Sequence, residues 1–169
     1  MKQQPRIAGF VAETGGRYTT RKPLTPAQII KAAKTLAQRQ VKQKTPFIDC
    51  AGTSKMVFQA ELEKEEREVF AALFLTTRHV PITFERIFYG TIDRASIYPR
   101  EIVKLALKLN AAAVIVGHNH PSGNPEPTQA DIDITHTIYS ALSLIDIRLL
   151  DHIVVGKDSA VSLGERGIV

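Results

Sequence analysis

Residues 112–131 read Ala112-Ala113-Val114-Ile115-Val116-Gly117-His118-Asn119-His120-Pro121-Ser122-Gly123-Asn124-Pro125-Glu126-Pro127-Thr128-Gln129-Ala130-Asp131. The opening apolar run, Ala112 to Val116 with its end at Gly117, predicts a strand buried on both faces. Pro121 to Pro127 is rich in proline and predicts a loop. Thr128 then opens a helix that runs to about Leu144. A strand, a loop and a helix in that order make an α/β unit, and the loop beyond the strand is where such proteins place their sites.

The two histidines stand two residues apart. If the extended geometry of the strand persists, side chains at that spacing share one face, so His118 and His120 converge. Two imidazoles that converge can share a metal ion. Thr128 as N-cap puts Asp131 in the first turn of the next helix, within reach of the same point if the loop folds back. Two histidines and one carboxylate leave a coordination position for water, which is the pattern of catalytic rather than structural zinc. Asp131 also has a plainer use, because with Thr128 it completes a capping box that needs no metal.

Outward from this segment the pattern stays α/β. On the N-terminal side, Pro99 starts a helix with Ile102, Val103, Leu105, Ala106 and Leu109 on its apolar face. Val80 to Ile92 reads as a strand of mixed alternation, and Thr76 to His79 as a turn. Glu68 to Leu75 is nearly continuous hydrophobe, a second strand buried on both faces. A helix beginning near Thr53 or Ser54 turns Val57, Phe58 and Leu62 inward and ends in Glu61, Glu63, Glu65 and Glu66, which read as solvated. Two strands, Asp146 to Val155 and Ser159 to Leu163, close the chain. The fold expected is an α/β layer structure with a mixed sheet flanked by helices.

Ahead of that body, residues 1–48 are expected to form a basic arm and an N-terminal helix. Residues 1 to about 23 are polar and basic and read as a flexible or loosely docked arm. Thr25, Pro26 and Gln28 make a helix start with a capping box, and Ile29, Ile30, Ala33, Leu36 and Ala37 mark a stripe up to about Gln40. Lys42 to Pro46 reads as linker. Met1 to Ile48 holds ten Lys/Arg against one acid, a local +9, and the remainder carries twelve against sixteen, or −4. A basic front end on a mildly acidic body is a footprint for DNA or another polyanion, and equally that of a solubilising tail.

Composition narrows the classes. Hydrophobic residues make up 44% and charged residues 23% of the 169, as in an ordinary globular protein. Cys50 is the lone cysteine, which excludes an intrachain disulfide and a cysteine zinc cluster and fits a reducing compartment. Met1 to Phe10 lacks the apolar core of a signal peptide, and no apolar run is long enough to span a bilayer. The expectation is a cytoplasmic protein with no membrane contact.

The run of His-x-His, seven residues, a hydroxyl residue, two more and Asp resembles the JAMM motif of MPN-domain metallopeptidases, whose core is similar to that of cytidine deaminases. The wording HNHPSG…PT..D resembles the RadC branch of that family, as do REVFAALFL, FYGTIDRASIYPREIVKLALKLNAAAVIVGHNHPSG and LLDHIVVG. The resemblance covers roughly Thr53 to Val169, with residues 49–169 as the RadC-like JAB/MPN metal-binding domain.

It implies one Zn2+ per chain on His118, His120 and Asp131, and a glutamate at the head of the first core strand that activates water. That glutamate is Glu68, the one acid of its neighbourhood that leads into a buried strand, where an unpaired carboxylate is costly. The motif's hydroxyl residue is Thr128, suited to an oxyanion besides its role as N-cap. Asn119 stands where eukaryotic-type JAMM proteases carry Ser or Thr, so their substrate-side details do not transfer. RadC proteins usually carry helix–hairpin–helix repeats ahead of this domain. No such repeat is visible here, and the chain resembles shorter stand-alone variants found in mobile elements.

The function implied is a zinc-dependent hydrolase that cleaves an amide or isopeptide bond in a protein or peptide. The alternative is a nucleic-acid-associated protein, in DNA repair or a mobile element, that binds DNA or a partner and keeps the metal for structure. Two other classes fit less well. The consecutive letters HNH are not the nuclease motif, which spreads over a ββα unit, and a zinc deaminase needs a Cys-x-x-Cys that Cys50 alone cannot form. Arg100 and Ser122 are candidates to contact substrate or support the site, and His152 to abut it. His79 and His136 read as solvent-facing. Oligomeric state is not encoded in any of these patterns.

Overall fold

A computed structural model of the chain describes residues 10–12, 18–20, 22–42, 48, 50–90 and 97–169. The chain divides into two compact units, Met1–Gln43 and Lys44–Val169. Among the described residues no helix is long and apolar enough to cross a membrane.

In the first unit, β1 (Val11–Ala12) pairs antiparallel with β2 (Tyr18–Thr19), so part of the stretch expected to be a loose arm forms a short hairpin. Helix α1 (Pro26–Lys42) starts as its residues predict. The Thr25 backbone N–H donates to Gln28 Oε1 at 2.9 Å, and the Gln28 N–H donates to Thr25 Oγ1 at 3.4 Å. Of the expected apolar stripe, Ile29, Ile30 and Ala33 are exposed, Ala32 beside them is buried, and the side chains of Leu36 and Ala37 lie outside the described residues.

The second unit runs α2 (Ala51–Leu62), β3 (Val69–Leu75), β4 (Pro81–Tyr89), α3 (Pro99–Lys108), β5 (Ala113–Asn119), α4 (Gln129–Ser143), β6 (Arg148–Val155) and β7 (Ala160–Ser162). The five strands form one mixed sheet in the order β4-β3-β5-β6-β7. The pair β5 and β6 is parallel, joined by a crossover through α4, and the other pairs are antiparallel. The fold is therefore the α/β layer structure expected. Helix α2 starts at Ala51, two or three residues earlier than its sequence suggests, after Cys50 at the N-cap. The end of the expected strand at Thr91 and Ile92 lies outside the described residues.

Alternation along the central strands divides the interior into two layers. Phe70, Ala72, Phe74, Val114 and Val116 face Ile102, Ala106, Ile138 and Leu142 of α3 and α4. Ala71, Leu73, Leu75, Ala113, Ile115, Ile153 and Val155 face Phe58 and Leu62 of α2. Every residue of β3 and β5 is buried, which is why Val69–Leu75 and Ala113–Val116 read as unbroken apolar runs.

One irregularity matters for the site. Val114 pairs with Leu149 and Ile115 with Asp151, so Leu150 is an extra residue in β6. A bulge of this kind shifts the side chains that follow to the opposite face. It directs His152 toward α4, where it bonds to Thr135, and leaves Asp151 on the α2 side.

Candidate metal centre

Strand β5 runs two residues past the Gly117 end that its sequence suggests, so His118 and Asn119 belong to the sheet itself. The His120 N–H donates to the Val155 carbonyl at 2.8 Å, which carries the extended geometry one residue further. The glycine that precedes the histidines is there for close packing. A Cβ at Gly117 would sit 2.5 Å from Cδ1 of Phe58 and 2.7 Å from the Ile153 carbonyl oxygen. After His120 the chain turns at Gly123, whose φ of +84° is costly for any residue with a Cβ. The turn is closed by the Gly123 N–H on the His120 carbonyl and anchored by the Lys157 N–H on the Gly123 carbonyl.

This backbone brings three donors to one point. His118 Nε2 lies 2.9 Å from His120 Nε2 and 3.1 Å from Asp131 Oδ1, and His120 Nε2 lies 3.5 Å from Asp131 Oδ2. Ligand atoms of all three residues fall within 4.8 Å of one another. These edges bracket the roughly 3.3 Å that separates two ligands bound about 2.0–2.1 Å from a tetrahedral ion. His118 is fully buried, whereas His120 and Asp131 are open to solvent at 16% and 13%. The donor set therefore fits a divalent ion reached from the side of His120 and Asp131.

Each ligand is held from behind. His120 Nδ1 donates to the Asn124 carbonyl at 2.8 Å, which leaves Nε2 to face the cluster. Asp131 Oδ2 accepts from both the backbone N–H and the hydroxyl of Thr128, at 2.7 Å each, so Oδ1 is the oxygen turned to His118. The Thr128–Asp131 pair is thus a complete capping box and part of the cluster at once. The single hydroxyl proton of Thr128 is committed to Asp131, and a bond to an oxyanion requires it to swing away. On the sheet side, the ring of Phe70 stacks on His118 with centroids 6.0 Å apart and an interplanar angle of 9°.

Titration follows from the same contacts. The bond to Asp131 raises the pKa of His120 above the ordinary histidine value. Burial opposes that shift, while the Asn124 carbonyl and the charges of Asp131 and Glu68 add to it. Burial by itself would raise the Asp131 carboxyl, but the bonds from His118 and His120 hold it far below the usual carboxylate range. Both shifts say that the cluster favours positive charge between its three donors.

Glu68 sits just ahead of β3 rather than inside it, and is half-buried, so burial alone does not set it apart from its neighbours. Of the acids before it, Glu66 is exposed as expected, but the other three are not merely solvated. Glu61 and Glu65 pair with Arg86 at 3.0 and 3.4 Å, and Glu63 accepts the Asp158 N–H at 2.9 Å.

Asn119, without an assigned task in the sequence, ties this segment down. It points to the face opposite the histidines and is 3% exposed. Its Oδ1 accepts the Val69 N–H at 2.8 Å, and its Nδ2 donates to the carbonyls of Arg67 and Glu65 at 3.0 and 3.2 Å. The residue between the two ligands thereby holds the backbone on either side of Glu68. The only sequence signal for it is a polar residue within a fully buried strand.

His152 does abut the site. It is fully buried, with Nε2 2.9 Å from His118 Nδ1. Ser122 is exposed in the Pro121–Gly123 turn. Arg100 is 80% exposed at the start of α3 and lies 3.6 Å from Glu101, so its contacts are those of a surface charge. His136 is exposed as expected. His79 is not simply solvent-facing: its Nε2 lies 3.0 Å from an Arg148 guanidinium nitrogen, and its carbonyl accepts the Ile48 N–H.

A mixed five-stranded sheet with His-x-His at the end of its central strand, facing an aspartate at the next helix start, defines the JAB/MPN class of domain. The family model for the RadC-like JAB domain matches residues 48–168, and the chain belongs to that family. Among its curated relatives, a UPF0758 protein of Marinomonas sp. is 51% identical over 141 residues, 83% of this chain and 62% of the relative. Another, from Methylibium petroleiphilum, is 44% identical over 168 residues, 96% of this chain and 76% of the relative. A third, from Xanthomonas campestris pv. campestris, is 60% identical over 112 residues, 66% of this chain and 50% of the relative. The chain thus spans between half and about three quarters of the length of these relatives.

Proposed function

We propose that the chain is a zinc-dependent hydrolase of the JAMM type, with one ion per chain, acting on an amide or isopeptide bond of a protein or peptide. The observation that carries this reading is the convergence of two imidazole Nε2 atoms and the Asp131 carboxylate at a point open to solvent. Zinc held by His118, His120 and Asp131 would act as a Lewis acid and lower the pKa of water at its open position to about 7.

The protein's own groups would do the rest. Glu68 accepts the proton of the attacking water and returns it to the leaving nitrogen, which keeps a poor leaving group from departing as an anion. Asn119 fixes the backbone that carries Glu68, and Thr128 holds Asp131 in place through its Oδ2 oxygen. On release from Asp131, the Thr128 hydroxyl would donate to a developing oxyanion.

The test is a panel of isopeptide-linked and linear peptide substrates, with zinc-loaded wild type beside Glu68→Gln. Hydrolysis by the wild type, reduced at least about 100-fold in a Glu68→Gln variant that still binds zinc, is the expected result. Equal rates in the two proteins would remove Glu68 from the chemistry.

A further inference from the structure

Behind His118 lies a chain of buried groups that the hydrolytic reading does not use. His118 Nδ1 lies 2.9 Å from His152 Nε2, and His152 Nδ1 lies 2.5 Å from the Thr135 hydroxyl, which lies 2.5 Å from the Asp131 carbonyl oxygen one helical turn back. Thr135 and His152 are both 0% exposed, so water does not complete any of these bonds. Phe70 closes the remaining side, its ring edge-on to His152 with centroids 5.5 Å apart.

The direction of every bond follows from counting protons. A carbonyl oxygen only accepts, and a threonine hydroxyl has one proton to give. Were that proton turned to His152, two bare oxygens would face each other at 2.5 Å. The hydroxyl therefore donates to the Asp131 carbonyl and accepts from His152 Nδ1–H. The His152 ring is wholly buried and its two bonds go to a histidine and a hydroxyl, with no carboxylate to balance a charge, so it carries a single proton. With that proton on Nδ1, Nε2 is bare and accepts from His118 Nδ1–H. His118 Nε2 would then offer its lone pair to an ion held with His120 and Asp131, in place of the proton it shares with the Asp131 carboxylate when no ion is bound.

We propose that Thr135 and His152 are positioning residues that fix the ring and the tautomer of His118, so that its Nε2 is presented as a metal ligand. This rests on the metal-centre reading given above and deepens it. The circuit begins and ends on residues of the cluster, because Thr135 is anchored to the backbone of Asp131 itself. Groups behind a metal-bound histidine are worth about 10–100-fold in metal affinity.

The test compares wild type, Thr135→Val and Thr135→Ser by zinc affinity in chelator competition and by the visible spectrum of the cobalt-substituted proteins. Histidine tautomers of the metal-free wild type are read from long-range nitrogen–proton couplings. The expected result is a 10–100-fold weaker affinity and an altered cobalt spectrum in Thr135→Val, both restored in Thr135→Ser. The tautomer spectrum is expected to show the His152 proton on Nδ1. Unchanged affinity in Thr135→Val, or a His152 proton on Nε2, would overturn the relay while leaving the metal centre in place. A wild type that takes up neither zinc nor cobalt would overturn both.

Discussion

Asp151 and His152 are neighbours on β6, both buried and both polar, yet they serve opposite faces of the sheet. The Asp151 carboxylate takes bonds from the His152 N–H at 2.7 Å, the Ser162 hydroxyl at 2.7 Å and the Gly164 N–H at 2.8 Å, and so closes the C-terminal turn. Each of those bonds ends on backbone or on a hydroxyl that goes no further than that turn. The bonds of His152 lead instead to His118, whose other nitrogen faces two more donors. Burial alone does not distinguish a structural polar group from one that serves a site. What distinguishes them is where the chain of hydrogen bonds stops.

The comparison can be broken by exchanging effects. Asp151→Ala strands the donors of His152, Ser162 and Gly164, and is expected to cost about 2–4 kcal/mol. Urea denaturation measures the loss, and elemental analysis of the folded fraction should find the zinc content unchanged. Loss of zinc along with stability would join Asp151 to the site. Asn119→Ala comes next, at about 1–3 kcal/mol, because the Val69 N–H loses its partner. Hydrogen exchange should accelerate at Val69 well ahead of Leu73 in mid-strand.

The effect of pH on His152 is smaller and has a definite sign. Its folded pKa is depressed, so the unfolded chain binds the extra proton first, and stability falls as the pH drops below about 6.5. Metal-free wild type should lose stability on the acid side more steeply than His152→Gln, by up to about 1.4 kcal/mol per pH unit. Parallel curves from denaturation at a series of pH values would show that His152 is not held neutral. Arg100→Ala marks the lower end of the scale: within about 0.5 kcal/mol in stability, with no change in zinc affinity.

Much of this architecture is legible in the chain because it is encoded locally. The runs Val69–Leu75 and Ala113–Val116 announce strands covered on both faces, and the capping box of Thr128 and Asp131 is written within four residues. The spacing of His118 and His120 places them on one face without further information. The supports of the site are written elsewhere in the chain. Thr135 and His152 are 17 residues apart, His118 and His152 are 34, and Asn119 reaches Glu65 across 54. No periodicity pairs such positions.

The extra residue Leu150 is equally silent, since an unbroken alternation through Leu149-Leu150-Asp151-His152 would send the aspartate to the site and the histidine away from it. Glu68 shows the converse: its position was readable, but its half-exposed surroundings were not. The Arg86 pairs of Glu61 and Glu65 depend on a strand 21 or more residues further on, which composition cannot reveal.

The most direct measurement is zinc uptake by purified, untagged protein stripped of metal, with wild type beside His118→Ala/His120→Ala. About one zinc per chain in the wild type and none in the variant, with both folded by circular dichroism, is the result expected of a centre built on His118, His120 and Asp131. A wild type that stays metal-free in excess zinc, or a double variant that binds as well as the wild type, would contradict it.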